Sequence, residues 1–259
     1  ASGAAASGAA ASGAAASGAA ASGAPGAASG DASGGGPGDL AAASRVGWTP
    51  RRYLPLLFAG AWVTVQVSVA SMVLAVVIGL LLALARLWGP APVRWAAVVY
   101  IEAFRGVPVL LVLFFLYYGL PSLGVELSAM TAAIVGFGLH YAAYEAEIYR
   151  AALQSVPPGQ WEAALALGMA PLLALRRVVL PQALRVALPP MTNDFVALFK
   201  DTSLVSVIAV VELTKQYQIL AKSSLKYLEL GLATAALYLA ISVPLGALSR
   251  RLEGSRGAP

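Results

Sequence analysis

Residues 53–85 read YLPLLFAGAWVTVQVSVASMVLAVVIGLLLALA, without one charged side chain. A bilayer core about 30 Å thick is crossed by about 20 apolar residues in a helix. The run therefore holds a short leading segment and a complete span over 62–85. Working outward, further apolar stretches give spans over 106–125, 127–149, 183–204 and 230–249. The fourth is the least clean, since it carries Arg185, Asp194, Lys200 and Asp201. Their apolar residues are not confined to one stripe, as expected for helices that face both lipid and other helices. The expected fold is an all-α membrane protein of about five transmembrane helices.

Composition agrees. Of the 259 residues only 11% are charged and the mean hydropathy is +0.77, whereas a soluble domain carries about 25% charged residues. Cysteine is absent and His140 is the only histidine. This excludes a disulfide framework, an iron–sulfur or thiolate zinc centre, and any site built on several imidazoles; no metal site and no catalytic residue is expected. Neither GxSxG nor HExxH occurs, which leaves a membrane-embedded hydrolase without its machinery. The net charge of +5 sits in spaced clusters of arginine between the apolar runs, the pattern of loop charges that orient a membrane protein rather than of a nucleic-acid surface.

Residues 1–46 are read as a disordered tail. The chain opens on ASGAA repeated four times, and side chains that small bury too little to offset the entropy of ordering. Residues 47–253 form the membrane domain and 254–259 a C-terminal tail. Arg86, Arg94 and Arg105 fall in the loop after span one, Arg150, Arg176, Arg177 and Arg185 after span three, and Arg250, Arg251 and Arg256 at the end, while the loop between spans two and three has no Lys or Arg. The excess of positive charge on cytoplasmic loops then puts the C-terminus inside and the N-terminus outside a multi-pass protein. Arg45, Arg51, Arg52, Lys215, Lys222 and Lys226 oppose that assignment.

The stretch 154–181, QSVPPGQWEAALALGMAPLLALRRVVLP, lies between spans three and four. Pro157, Pro158 and Gly159 end the preceding helix. Gln160 to Leu167 reads as a short helix capped by Gly168, and Pro171 opens a second that Pro181 stops. Two short helices joined at a glycine make a knob. The residues leave two readings open: a plug for a groove on a partner protein, or an interfacial hairpin resting on lipid headgroups.

Glu162-Ala163-Ala164, Gly168 and Val178-x-Leu180-Pro181 together resemble the EAA motif of permease subunits of binding-protein-dependent ATP-binding-cassette (ABC) importers. Arg105-Gly106-Val107-Pro108, the segment Ala143–Arg150, LPQALRVALPP over 180–190 and Lys200-Asp201-Thr202-Ser203-Leu204-Val205-Ser206 are similar to the polar amino acid uptake branch. Val107, Ala170 and Val178 depart mildly from that pattern. The resemblance implies a MetI-like permease fold in the bacterial cytoplasmic (inner) membrane. It also implies a second permease subunit, identical or paralogous, two cytoplasmic ATP-binding subunits and an extracytoplasmic solute-binding protein. Glu162, Ala163, Ala164, Gly168, Leu180 and Pro181 would be the ATPase-coupling residues of a cytoplasmic coupling loop, and the cargo a polar amino acid moved by alternating access. The chain has no GxxxxGK[ST] loop, so it is not an enzyme: it binds no cofactor, and ATP and Mg belong to the partner ATPase. The alternative is an ion-coupled secondary transporter or a channel subunit, in which buried Asp and Lys serve ion coupling.

An Asp at the centre of a spanning helix costs about 2.5–3.5 kcal/mol on insertion scales, so such residues face a cavity or a partner. Asp194 and Asp201 stand about two helical turns apart on one face and could attract an ammonium or guanidinium group. Lys200 could bind a carboxylate or neutralise Asp201. Asn193, Thr202 and Ser203 add neutral hydrogen-bonding groups, and the resemblance implies that this segment lines a solute site. The other reading is an internal Lys–Asp pair at a helix end. His140, Tyr144 and Glu147 fall on one stripe of the third span and either line the pathway or stitch the bundle. Glu147 and Arg150 are expected to pair at its inner end.

Overall fold

The computed structural model describes residues 50–254, so the expectations for the N-terminal tail, Arg45 and Arg256 lie outside the described residues. Every regular element among the described residues is helical. The first helix, α1 (Pro50–Trp88), absorbs the leading segment and the first span into one rod of 39 residues. At 1.5 Å per residue it is about 58 Å long, well beyond the bilayer core.

The face α1 turns inward is mostly small and hydroxylic, with Leu57 and Val67 also buried in it. Ala61, Thr64, Ser68, Ser71, Ala75 and Ala83 are buried, while Trp62, Val69, Val73, Val77 and Leu81 point outward. This inverts a soluble helix. Lipid solvates large apolar side chains as well as a core would, so helix association depends on close backbone approach and small residues collect at the contact. The contact is with α4 (Ala129–Gln154), the most enclosed helix of the bundle. A Cβ on Gly79 would lie 2.7 Å from the Cβ of Glu145 and 3.0 Å from the Ala142 carbonyl oxygen, so only glycine allows this crossing.

Two expectations are corrected here. The arginine-bearing segment after α1 is not a loop but a helix, α2 (Ala91–Gly106), opened by Pro90 and Pro92. It buries Ala97 and Ile101 and exposes Trp95, and Arg94 and Arg105 ride on it. Pro108 drives Val107 out of the helical region, to φ −105° and ψ 132°. The chain bends by 103° into α3 (Val109–Phe114), which runs on through a wide turn over 115–119 and a tight one over 120–123 to Gly124 at φ 80°. The expected second span is therefore the second arm of a bent pair. Among the described residues two helices, α1 and α9 (Tyr227–Gly254), are long and apolar enough to cross a membrane alone, and the bent pair would make a third. Helix α4 and the later α7 have the length, but their polar residues keep them below that hydropathy.

The second correction concerns Pro181. After α5 (Pro158–Ala166) and α6 (Pro171–Ala174), a wide turn over 175–179 leads directly into α7 (Leu180–Asp201). Pro181 occupies the first turn of α7 instead of stopping a helix. The Leu180 N–H reaches back to the Leu175 carbonyl, an i→i−5 bond whose slack accommodates a residue with no N–H to give. Helix α7 ends in a tight turn over 202–208 and Ala209 at φ 68°. A short helix, α8 (Leu213–Ser224), then leads to α9, whose Ser249 hydroxyl donates to the Pro189 carbonyl at 3.1 Å and ties α9 to α7.

Candidate functional site

The element over 158–180 is built from local rules. Pro157 is extended at φ −57° and ψ 134°, and Pro158 is pre-set for the first helical position. At the other end the Met169 N–H donates to the Ala164 carbonyl at 3.1 Å and the Gly168 N–H to the Leu165 carbonyl at 2.9 Å. This is the crossed pair of a Schellman cap, with Gly168 in the left-handed region at φ 77°. Helix α5 runs from Pro158 to Ala166, slightly ahead of the expected 160–167, and Gly168 caps it as expected.

Ala164 packs inward while Glu162, Ala163 and Gly168 are exposed. Leu167 and Leu172 flank the cap at 84% and 76% exposure, apolar tips with no covering side chain of their own. Behind them Trp161 does not project but lines a cavity of about 440 Å³ with Trp88, Leu153, Val156, Pro157 and Leu172. Leu180 is exposed as well.

Just above this element, Glu147 gathers the expected pair and one more cation. It accepts from the Arg150 guanidinium at 2.7 and 3.1 Å and forms an ion pair with Arg86 of α1. Arg150 also donates to the Gln154 side chain at 2.6 Å, and Arg105 of α2 lies over the Tyr144 ring at 5.6 Å. The stripe of His140, Tyr144 and Glu147 thus divides. Glu147 fastens α1 to α4, whereas His140 packs against the Tyr141 and Tyr144 rings at 5.7 and 5.4 Å.

Higher on α4 and α7 the polar side chains come together differently from what their spacing suggests. The Tyr141 hydroxyl donates to Asp201 Oδ2 at 2.8 Å, so Asp201 has a phenol as partner and not Lys200. Among the described residues Lys200 forms no ion pair; it lines a separate groove of about 410 Å³ with Ser203, Thr214, Tyr238, Leu239 and Ser242. This removes the internal Lys–Asp pair. Thr202 turns its hydroxyl back to the Phe199 carbonyl at 2.7 Å and is fully buried, fixing the end of α7. Asn193 is exposed, and Asp194 is half-buried with Oδ2 enclosed and unpartnered.

Three residues of this face escaped the sequence reading. Tyr141, Glu145 and Tyr149 stand at i, i+4 and i+8 on α4, one stripe turned toward α1 and α7. Glu145 is fully buried; no hydrogen bond of good geometry reaches its carboxylate, and the Tyr149 hydroxyl is the donor turned toward it. Their i, i+4, i+8 spacing is visible in the sequence, but Glu147, two residues on, stands in the stronger motif with Arg150.

Glu212, also missed, is a buried staple. It caps α8 by accepting from the Thr214 and Lys215 N–H groups, each at 2.7 Å, and takes the Tyr238 hydroxyl of α9 at 3.1 Å and the Thr64 hydroxyl of α1 at 3.4 Å. Burial lifts its carboxyl above the ordinary glutamate range, against the pull of those donors.

A helical bundle with a glycine-capped pair of short helices between two of its members, and no nucleotide-binding loop, has the make-up of a transport subunit driven from outside itself. Residues 75–256 match the family described as binding-protein-dependent transport system inner membrane component. The chain belongs to that family. It is the membrane permease subunit of an ATP-driven importer, not an enzyme.

Similar proteins include the probable amino-acid ABC transporter permease protein YckA of Bacillus subtilis (strain 168), 44% identical over 72% of this chain and 83% of the relative. The glutamine transport system permease protein GlnP of Escherichia coli (strain K12) is 41% identical over 77% and 92%. Among solved structures, an amino acid ABC transporter crystallised with histidines superposes with a TM-score of 0.74 at 35% identity, covering 79% of this chain and 95% of that one. The inward-facing MetNI methionine ABC transporter superposes with a TM-score of 0.59 at 22% identity, over 76% and 96%, and supports the MetI-like fold alone.

Proposed function

We propose that this chain carries polar amino acids across the cytoplasmic membrane by alternating access, as one half of a two-subunit pathway. The knob over 158–180 is held by a partner ATPase. The observation that carries the reading is the pair of exposed leucines, Leu167 and Leu172, on either side of the Gly168 cap. A rigid helix–turn–helix with apolar tips suits insertion into a groove, and Glu162, Ala163, Ala164, Gly168, Leu180 and Pro181 are its coupling residues. Movement at the knob reaches α1 through the Glu147 link to Arg86, so closure of two motor subunits reorients the helices as two-state bodies.

In this reading the arginine-rich ends of α1, α4 and α9 face the cytoplasm, the N-terminus lies outside, and an extracytoplasmic binding protein hands solute to the α4–α7 face. Asp194, Asp201 and Tyr141 contact the solute, with His140 and Tyr144 at its edge. Lys200 and Ser203, in their separate groove, stand outside that contact set. ATP and Mg are bound by the partner. The amino-acid names of relatives 44% and 41% identical support the cargo class.

The test is uptake into proteoliposomes holding the complete complex, screened over the amino acids. Accumulation is expected only with ATP inside and binding protein outside. Glu162→Lys is expected to abolish uptake while the protein still inserts. Accumulation driven by an ion gradient without ATP would replace this reading with an ion-coupled transporter.

A further inference from the structure

The face between α4 and α7 collects negative charge and no positive charge. Asp194 and Asp201 of α7 meet a stripe of α4 in which Glu145 is fully buried. Among the described residues none of the three carboxylates has a cationic partner. Lys200 is turned into its own groove, and Arg86 and Arg150 are held by Glu147. Tyr149, only 8% exposed, lies one turn below Glu145 with its hydroxyl turned toward that carboxylate but in no hydrogen bond of good geometry. It interacts electrostatically with both Glu145 and Asp194. His140, 7% exposed, keeps an unpartnered Nδ1 within the electrostatic reach of Asp201.

A structural role would have given Glu145 and Asp194 a counter-charge or a ring of donors, since a carboxylate buried away from water without a counter-charge is costly. Glu212 of the same chain shows how such a group is satisfied when it serves the fold: four donors converge on it.

We infer that this face is the side-chain subsite for a solute bearing a positive charge, an amino acid with a guanidinium or ammonium end, and that Glu145 is the residue that sets this preference. The inference rests on the amino-acid import reading above and names the class of cargo. The cation meets Asp194 and Asp201 directly. Glu145, wedged against Gly79, is sealed from contact and acts as a fixed negative charge behind them. It is a positioning charge, and its effect is on the choice between charged and neutral side chains.

The experiment is equilibrium binding of radiolabelled L-arginine to the permease–ATPase complex in nanodiscs without binding protein, with L-citrulline, its neutral isostere, as competitor. Arginine is expected to bind about tenfold or more tighter than citrulline, a difference of about 1.4 kcal/mol. Glu145→Gln is expected to erase that gap by weakening arginine binding about tenfold or more. Should Glu145→Gln fail to assemble, Asp194→Asn, at a part-exposed position, is expected to narrow the same gap. Equal binding of arginine and citrulline, no saturable arginine binding, or a gap that survives both substitutions would overturn the inference. ATP-driven uptake of amino acids by the same complex, reconstituted with its binding protein, is read separately. Uptake without preference for cationic side chains sinks only this inference, whereas its absence sinks the import reading.

Discussion

The knob over 158–180 and the α4–α7 face are made by opposite means. In the knob the contacts that start and end its first helix lie within a few residues: Pro157 and Pro158 open it, and the crossed bonds around Gly168 end it. On and behind the α4–α7 face the decisive contacts are distant in the chain: Tyr141 with Asp201 of α7, and Glu145 with Gly79 of α1. A local device can be exposed and still hold its shape, as Leu167 at 84% exposure shows. A distant one holds its shape only where helices are pressed together. The same residue type therefore fails in two ways, and two glycines separate them.

The largest effect is expected from Gly79→Leu. Its side chain would enter the space of the Glu145 Cβ and the Ala142 carbonyl, which cannot yield, and overpacking costs about 1–3 kcal/mol or more. Aggregation, or a sharply lowered melting temperature of the detergent-solubilised complex, checks this; a protein of normal stability would break the claim that close backbone approach holds α1 to α4.

Glu212→Ala comes next. It removes a helix cap worth about 0.5–2 kcal/mol and strands the hydroxyls of Thr64 and Tyr238. Thermal melting is expected to fall while the knob keeps its affinity for the ATPase.

Gly168→Leu should do the reverse. Nothing lies within 4 Å of the added Cβ, but φ is 77°, and the left-handed conformation costs a branched or long side chain about 1–2 kcal/mol. The complex is expected to stay folded and lose about tenfold or more of its ATP-driven uptake, with ATP hydrolysis persisting uncoupled. Uptake at the normal rate would remove the knob from the mechanism.

Asp194→Asn with Asp201→Asn is expected to impair uptake without loss of assembly, read by transport and size-exclusion chromatography on one preparation. The smallest effect is expected from Tyr141→Phe, which leaves Asp201 without its donor. A hydrogen bond of about 0.5–1.5 kcal/mol translates into a rise of a few-fold in the solute concentration for half-maximal uptake, with maximal ATP hydrolysis unchanged.

The family was legible because its marks are local. Glu162-Ala163-Ala164 with Gly168, and the apolar runs around it, are read along the chain. What misled is equally specific. Arg94 and Arg105 look like loop charges, yet they ride on α2, because charge marks the side of the membrane and not the absence of a helix. Pro181 looks like a stop, yet a wider turn before it lets the helix run on. Lys200 is next to Asp201 in the chain, yet adjacent residues on a helix point about 100° apart: Lys200 lines a groove with Ser203 and Tyr238, while Asp201 meets Tyr141.

By itself the chain of residues determined that the protein is a bundle of membrane helices, that a proline-opened, glycine-closed knob interrupts it, and that no GxxxxGK[ST] loop occurs in it. Those conclusions need only hydropathy, turn chemistry and a missing motif, all properties of contiguous residues. The tertiary structure alone decided that Asp201 answers Tyr141, that Glu145 lies buried against Gly79, and that Glu212 gathers three helices. Helical periodicity gives each side chain a direction about its own axis; which neighbour stands in that direction depends on how the helices cross, and here small residues on α1 decide it by letting the backbones close.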